Sequence, residues 1–173
     1  AGVAQTARVG GPLMVRTASL LVVFLATTAL AARISDDAVA AHQIAFQVFL
    51  ALALMMDALA IAAQAMVGRS LGAVDALGAR AMARRMLEWG VIVGVGFGVV
   101  LAAATPWLVT VFSDDAGVQD LAEQLLWIVA ALQPLNAIVF VLDGVLIGAG
   151  DQRFLAGAMI VATFGVYAPA AAV

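Results

Sequence analysis

Five apolar runs dominate the chain, and each is long enough to cross a bilayer as a helix, which takes about 20 mostly apolar residues. They cover 13–32, 39–67, 87–112, 121–147 and 154–173. Pro12 precedes the first run, at a position that suits a helix start. None alternates in polarity at every second residue over about ten residues, as the strands of a membrane β-barrel do. The pattern predicts an all-α fold, a polytopic bundle of about five transmembrane helices. Polar segments between the runs carry most of the charge. The N-terminal stretch and the segments 68–86 and 148–153 hold Arg8, Arg16, Arg69, Arg80, Arg84, Arg85 and Arg153. The turns around Ser35 and Ser113 hold only Arg33. Strict alternation of five spans puts the first group on one side of the membrane. The arginine bias then places that side, with the Arg69–Arg85 loop, in the cytoplasm.

Composition agrees with this reading. Of the 173 residues, 65% are hydrophobic and 11% are charged, where an average soluble domain has about 25% charged. So little charge does not cover a water-exposed surface, and so much apolar content excludes a disordered chain. Lipid is the expected partner for most of the surface. There is no cysteine, which excludes disulfides and thiolate chemistry. All eight basic residues are arginine and form no basic tract, so no nucleic-acid partner is expected. No nucleophile-elbow, zinc-protease or phosphate-loop motif is present, so the chain is not expected to be an enzyme or to carry a cofactor. His42, the single histidine, is read as an interfacial polar residue and not a metal ligand. The opening AGVAQTARVGG does not read as a signal peptide. The chain closes inside an apolar run, so it is expected to be a piece of a longer protein.

Three local features are expected at the span ends and within the third span. The segment ALGARAMARRMLEW reads as a short interfacial helix leading into the third span, with Ala81, Met82 and Met86 toward lipid. Asp120 and Glu123 read as first-turn acids of the fourth helix, favoured by its dipole. Gly90, Gly94 and Gly98 form a GxxxGxxxG string that suits close helix packing.

Polar residues inside the spans carry the candidate chemistry. Acidic side chains at the centre of a membrane helix cost about 2.5–3.5 kcal/mol on insertion scales and tend to mark ion or proton paths. Asp57 and Asp143 are two such residues, and neither span contains an Arg or Lys. Each is a candidate for taking up and releasing a proton as a cavity alternates between wet and dry. Asn136 lies seven residues before Asp143, two turns along one helix face. Gln133 and Phe140 fall near the same stripe. Asp57 and Gln64 repeat the spacing on the second span, with Gln43 and Gln47 higher up. Two polar seams, on spans two and four, can therefore face one cavity or bond each other. Met56, with other Met and Phe residues of span two, is a candidate for an adaptable apolar lining. Pro134 interrupts the fourth span and kinks it.

The strings AARISDDAVAAHQIAFQVF, LMMDALAIAAQAMVGRSLGAVD and QPLNAIVFVLDGVLIGAGDQRFL resemble the multidrug and toxic compound extrusion (MATE) family, and most of all its DNA-damage-inducible F (DinF) branch. Members have twelve spans in two six-helix lobes, and this chain resembles spans seven to eleven of the second lobe. The resemblance implies a multi-pass protein of the bacterial cytoplasmic (inner) membrane. It implies antiport, with efflux of cationic or amphipathic compounds against inward H⁺ or Na⁺ and with the N-terminal lobe as partner. Asn136 falls where some relatives carry a cation-binding Asp, and Asp143 lies two turns further on. Alternatives are a flippase for lipid-linked substrates in the same superfamily, which favours a more cationic cavity, and a non-transporting membrane scaffold.

Overall fold

A computed structural model describes residues 2–167 and 169. Among them the chain is a series of helices: α1 Gly2–Ile34, α2 Asp36–Gly72, α3 Ala76–Phe112, α4 Ala116–Gly148 and α5 Gln152–Ile160, followed by a π-helical segment Val161–Tyr167. All-α architecture is therefore observed. Four helices are long and apolar enough to cross a membrane: the Thr17–Ile34 part of α1, and α2, α3 and α4. The remainder of the fifth predicted span, 168 and 170–173, lies outside the described residues.

Connections are short because each is closed by a capping side chain. An oxygen on the residue before a helix accepts from backbone N–H groups that the first turn leaves without partners. Ser35 Oγ accepts from the Ala38 N–H at 3.1 Å. Asp75 Oδ1 accepts from Gly78 at 2.8 Å. Asp115 Oδ1 accepts from Gly117 at 2.8 Å and Val118 at 3.4 Å, and Asp151 Oδ1 from Phe154 at 3.2 Å. These caps move several boundaries. α4 begins at Ala116, so Asp120 and Glu123 lie beyond its first turn. Glu123 instead accepts from the Trp127 indole at 3.4 Å, one turn along α4. Capping by Asp75 starts α3 at Ala76, so ALGARAMARRMLEW is the uninterrupted beginning of a 37-residue helix and not a separate interfacial one. Met86 is buried against Ala63 and Val141 and does not face lipid. α1 begins at Gly2, ahead of Pro12 and through Gly10 and Gly11.

The α2–α3 connection ends α2 in a Schellman motif. Asp75 N–H donates to the Ser70 carbonyl at 2.9 Å and Val74 N–H to the Leu71 carbonyl at 3.0 Å. This geometry needs a left-handed residue, normally glycine. Here Val74 takes it, with φ 60°.

Described residues divide into two compact units, Ala1–Ile34 with Gly150–Val173, and Ser35–Ala149. In the first, α1 packs on α5 and the π-helical segment. Thr27 Oγ1 donates to the Val23 carbonyl at 2.8 Å. Its one proton is then committed, so the 2.7 Å contact with the Tyr167 hydroxyl has tyrosine as donor. Ser19, Leu155, Ala156 and Thr163 are buried in the same unit.

The second unit is a three-helix sheaf with α4 at its centre, packed on both α2 and α3. Backbone contacts at glycines set the register. Gly144 lies against the Ala60 backbone and Gly148 against Gln64, so α2 and α4 run parallel. Gly90 meets Val141 and Ala137, Gly94 meets Ala137 and Pro134, and Gly98 meets Ala130, so α3 runs antiparallel to α4. The GxxxGxxxG string thus acts as the close-packing face expected of it.

Candidate functional site

Helix phase decides where the polar candidates point. On α4 the residues touching α3 are Ala130, Pro134, Ala137 and Val141. At 100° per residue, Asn136 and Asp143 lie roughly 100–180° round the helix from them. On α2, Val48, Ala51 and Leu52 line a 390 Å³ groove shared with Phe97, Leu101 and Leu108 of α3. Asp57 is turned roughly 120–180° from those three, and Gln64 follows it by two turns. Both polar seams therefore flank the α2–α4 contact on the side away from α3. Asp57 and Gln64 are exposed within this chain, and Asn136, Phe140 and Asp143 are half-buried.

Register also sets their depth. Gly144 packs on Ala60 and Gly90 on Val141, which brings Asp57 and Asp143 to nearly one level, close to Glu88–Gly90 of α3. At that level Glu88 pairs with Arg84 at 3.2 Å and Arg85 at 3.3 Å, and the Trp89 ring is half exposed. Asp143 lies five residues before the end of α4, whereas Asp57 lies close to the middle of α2. Asn136 is about two turns from Asp143 along α4.

Other candidates lie elsewhere. Gln47 lines the α2–α3 groove, about 80° round α2 from Asp57. Gln43 is exposed near the start of α2. The His42 ring stacks on Phe46, with centroids 6.2 Å apart. Met56 and Gln133 are each 1% exposed and belong to the helix packing, so neither lines an open cavity in this conformation. Their burial follows from phase: Met56 sits one turn before Ala60 on the α4-facing side of α2, and Gln133 lies under Gly94 and Gly98. Gln133 Nε2 has no hydrogen-bond partner. Pro134 closes a second groove, of 280 Å³, with Gly98, Ala102, Trp127 and Ala130. The Thr27–Tyr167 hydroxyl pair was not a candidate from sequence. Its two residues are 140 positions apart, and only helix phase brings them together.

A bundle of long apolar helices with short capped turns defines a multi-pass membrane protein. Within that class the chain belongs to the MatE family, whose profile matches residues 12–173. It is 36% identical to Protein DETOXIFICATION 45, chloroplastic, of Arabidopsis thaliana, over 93% of this chain and 30% of that protein. Protein DETOXIFICATION 44, chloroplastic, of the same plant is also 36% identical, over 92% of this chain and 31% of its own length. DNA damage-inducible protein F of Escherichia coli (strain K12) is 28% identical over 88% of this chain and 33% of that protein. The chain thus spans about a third of the length of the curated relatives it matches. No solved structure gives a significant match.

Proposed function

We propose that the chain is part of a secondary active exporter that moves cationic or amphipathic small molecules out across a membrane, in exchange for H⁺ or Na⁺, by alternating access. One observation carries this reading: the packing of α2 on α4 gathers Asp57, Gln64, Asn136 and Asp143 on a single side, away from α3. Carboxylates and carboxamides on a shared face of two membrane helices suit a cation that binds, is released and binds again. Family membership and the names of the relatives support transport of toxic compounds. Asp57 and Asp143 are assigned to coupling-ion exchange, with Asn136 beside them. Gln64 and Phe140 are assigned to the substrate path, with the N-terminal lobe of the same transporter closing the cavity. The bacterial cytoplasmic membrane is the proposed location. No arginine lies on this polar face, which favours an exporter of cations over a flippase of anionic lipid-linked substrates.

The test uses the full-length protein in vesicles preloaded with ethidium. An imposed proton or sodium gradient is expected to drive dye efflux. The double variant Asp57→Asn, Asp143→Asn is expected to abolish the gradient-dependent part. Undiminished efflux by that variant would reject the assignment, and the same residues would then be helix-to-helix bonds.

A further inference from the structure

The three-helix unit is packed as two bodies. Toward the α4 N-terminus one cluster joins Ala41, Ile44 and Ala45 of α2, Leu101 and Val109 of α3, and Val118 to Ala130 of α4. Toward the other end a separate cluster joins Ala63, Met86 and Val141. Between them α3 offers the track Gly90–Gly94–Gly98, without side chains of its own, which meets the Ala130 and Gln133 carbonyls, Pro134 and the small side chains of Ala137 and Val141. Such a waist has few side chains interdigitating to resist a change of angle, unlike an ordinary close-packed interior.

The α4 backbone is weakest at this same waist. Pro134 has no N–H, so the Ala130 carbonyl lacks its i+4 donor. A methyl group built on Gly98 would lie 2.7 Å from that carbonyl oxygen, so the oxygen faces the glycine track. One residue earlier, Gln133 is 1% exposed, with its Nε2 donor unmatched. Buried donors without acceptors are rare and raise the free energy of the conformation that contains them. Here the orphan stands beside a missing rung of the helix ladder, between two packed bodies.

We propose that α4 bends at Gln133–Pro134, and that this bend swings the half carrying Asn136, Phe140 and Asp143 against the half anchored by Leu126 and Ala130. This rests on the exporter reading and locates its moving part within this chain. Gln133 is a positioning residue: its unmatched amide disfavours the conformation described and so keeps the bent form accessible.

Spin labels at Ala81→Cys in α3, level with the end of α4, and at Ala149→Cys report the angle in full-length protein. Fifteen residues below Pro134 make a lever of about 22 Å, so a swing of about 20° moves Ala149 by about 8 Å. Two distance populations are expected, with weights that change when a gradient and ethidium are applied. Gln133→Leu removes the orphan donor, and Pro134→Ala restores the missing N–H. Either change is expected to leave one population and to slow efflux about tenfold, by removing one of two needed states. One unchanging distance in the wild-type background under every condition would overturn the bend. Two populations and efflux within twofold of wild type in both variants would overturn the role of Gln133–Pro134. Two populations without any dye movement by wild type would reject the exporter reading and leave the bend standing.

Discussion

Replacing Gly144 with alanine adds one methyl group where α4 presses on α2. That carbon would sit 2.7 Å from the Ala60 carbonyl carbon and 2.9 Å from its Cα, and closer still to its oxygen. All three are backbone atoms, so no side chain can rotate away. The helices must part by roughly 0.5–1 Å, enough to forfeit a quarter to a half of the dispersion attraction along the contact. In lipid this attraction is the main force between helices. Overpacking of this kind costs about 1–3 kcal/mol, and an immovable partner puts Gly144→Ala at the upper end. Gly96 is the internal control, because nothing lies within 4 Å of a methyl group there. Alanine in a helix interior is better than glycine by about 0.5–1 kcal/mol, so Gly96→Ala is expected to be neutral or stabilising. The two variants should differ by about 3 kcal/mol, roughly a hundredfold in the unfolding equilibrium. Reversible unfolding of full-length protein in mixed micelles, followed by tryptophan fluorescence, measures this gap. If Gly144→Ala unfolds no more readily than Gly96→Ala, the α2–α4 register described above is wrong.

Val74→Gly should stabilise the protein by about 1 kcal/mol in the same assay, since a left-handed β-branched residue is strained and Val74, at 92% exposure, gives up no packing. Asp115→Ala removes the cap of α4 and should cost about 1 kcal/mol, with faster amide exchange at Gly117 and Val118 than at the middle of the helix. Tyr167→Phe deletes the hydrogen bond to Thr27 and should cost about 0.6 kcal/mol; a midpoint identical to wild type would mean the pair is not formed. Glu88→Gln breaks two exposed ion pairs and should shift stability by less than about 1 kcal/mol, the effect vanishing in high salt.

Helical class and four of the five spans were legible because lipid demands long apolar runs, and nothing else in a sequence looks like them. The GxxxGxxxG contact was legible for a related reason: small residues one turn apart leave a flat strip that only another backbone fills. The relative level of the helices was not legible: only the Gly144–Ala60 and Gly90–Val141 contacts bring Asp57 and Asp143 level with Glu88 of α3. Spacing along one helix likewise paired Asn136 with Asp143 and Asp57 with Gln64. It did not reveal that Gln47 faces another groove or that Met56 and Gln133 are buried, because these depend on where neighbouring helices lie. Caps set the start of α4 at Asp115 and joined residues 76–89 to α3. The same aspartates are plain in the sequence, yet any of several nearby acids would serve as a cap.

The connections between α2 and α3 and between α3 and α4 are three residues each, 73–75 and 113–115. Three residues reach at most about 10 Å. Helix ends on such a leash stay neighbours through any motion, so shape change in this sheaf is confined to the interiors of its rods. Threading a reporter peptide into either turn would therefore slacken the one restraint that the bundle holds constant.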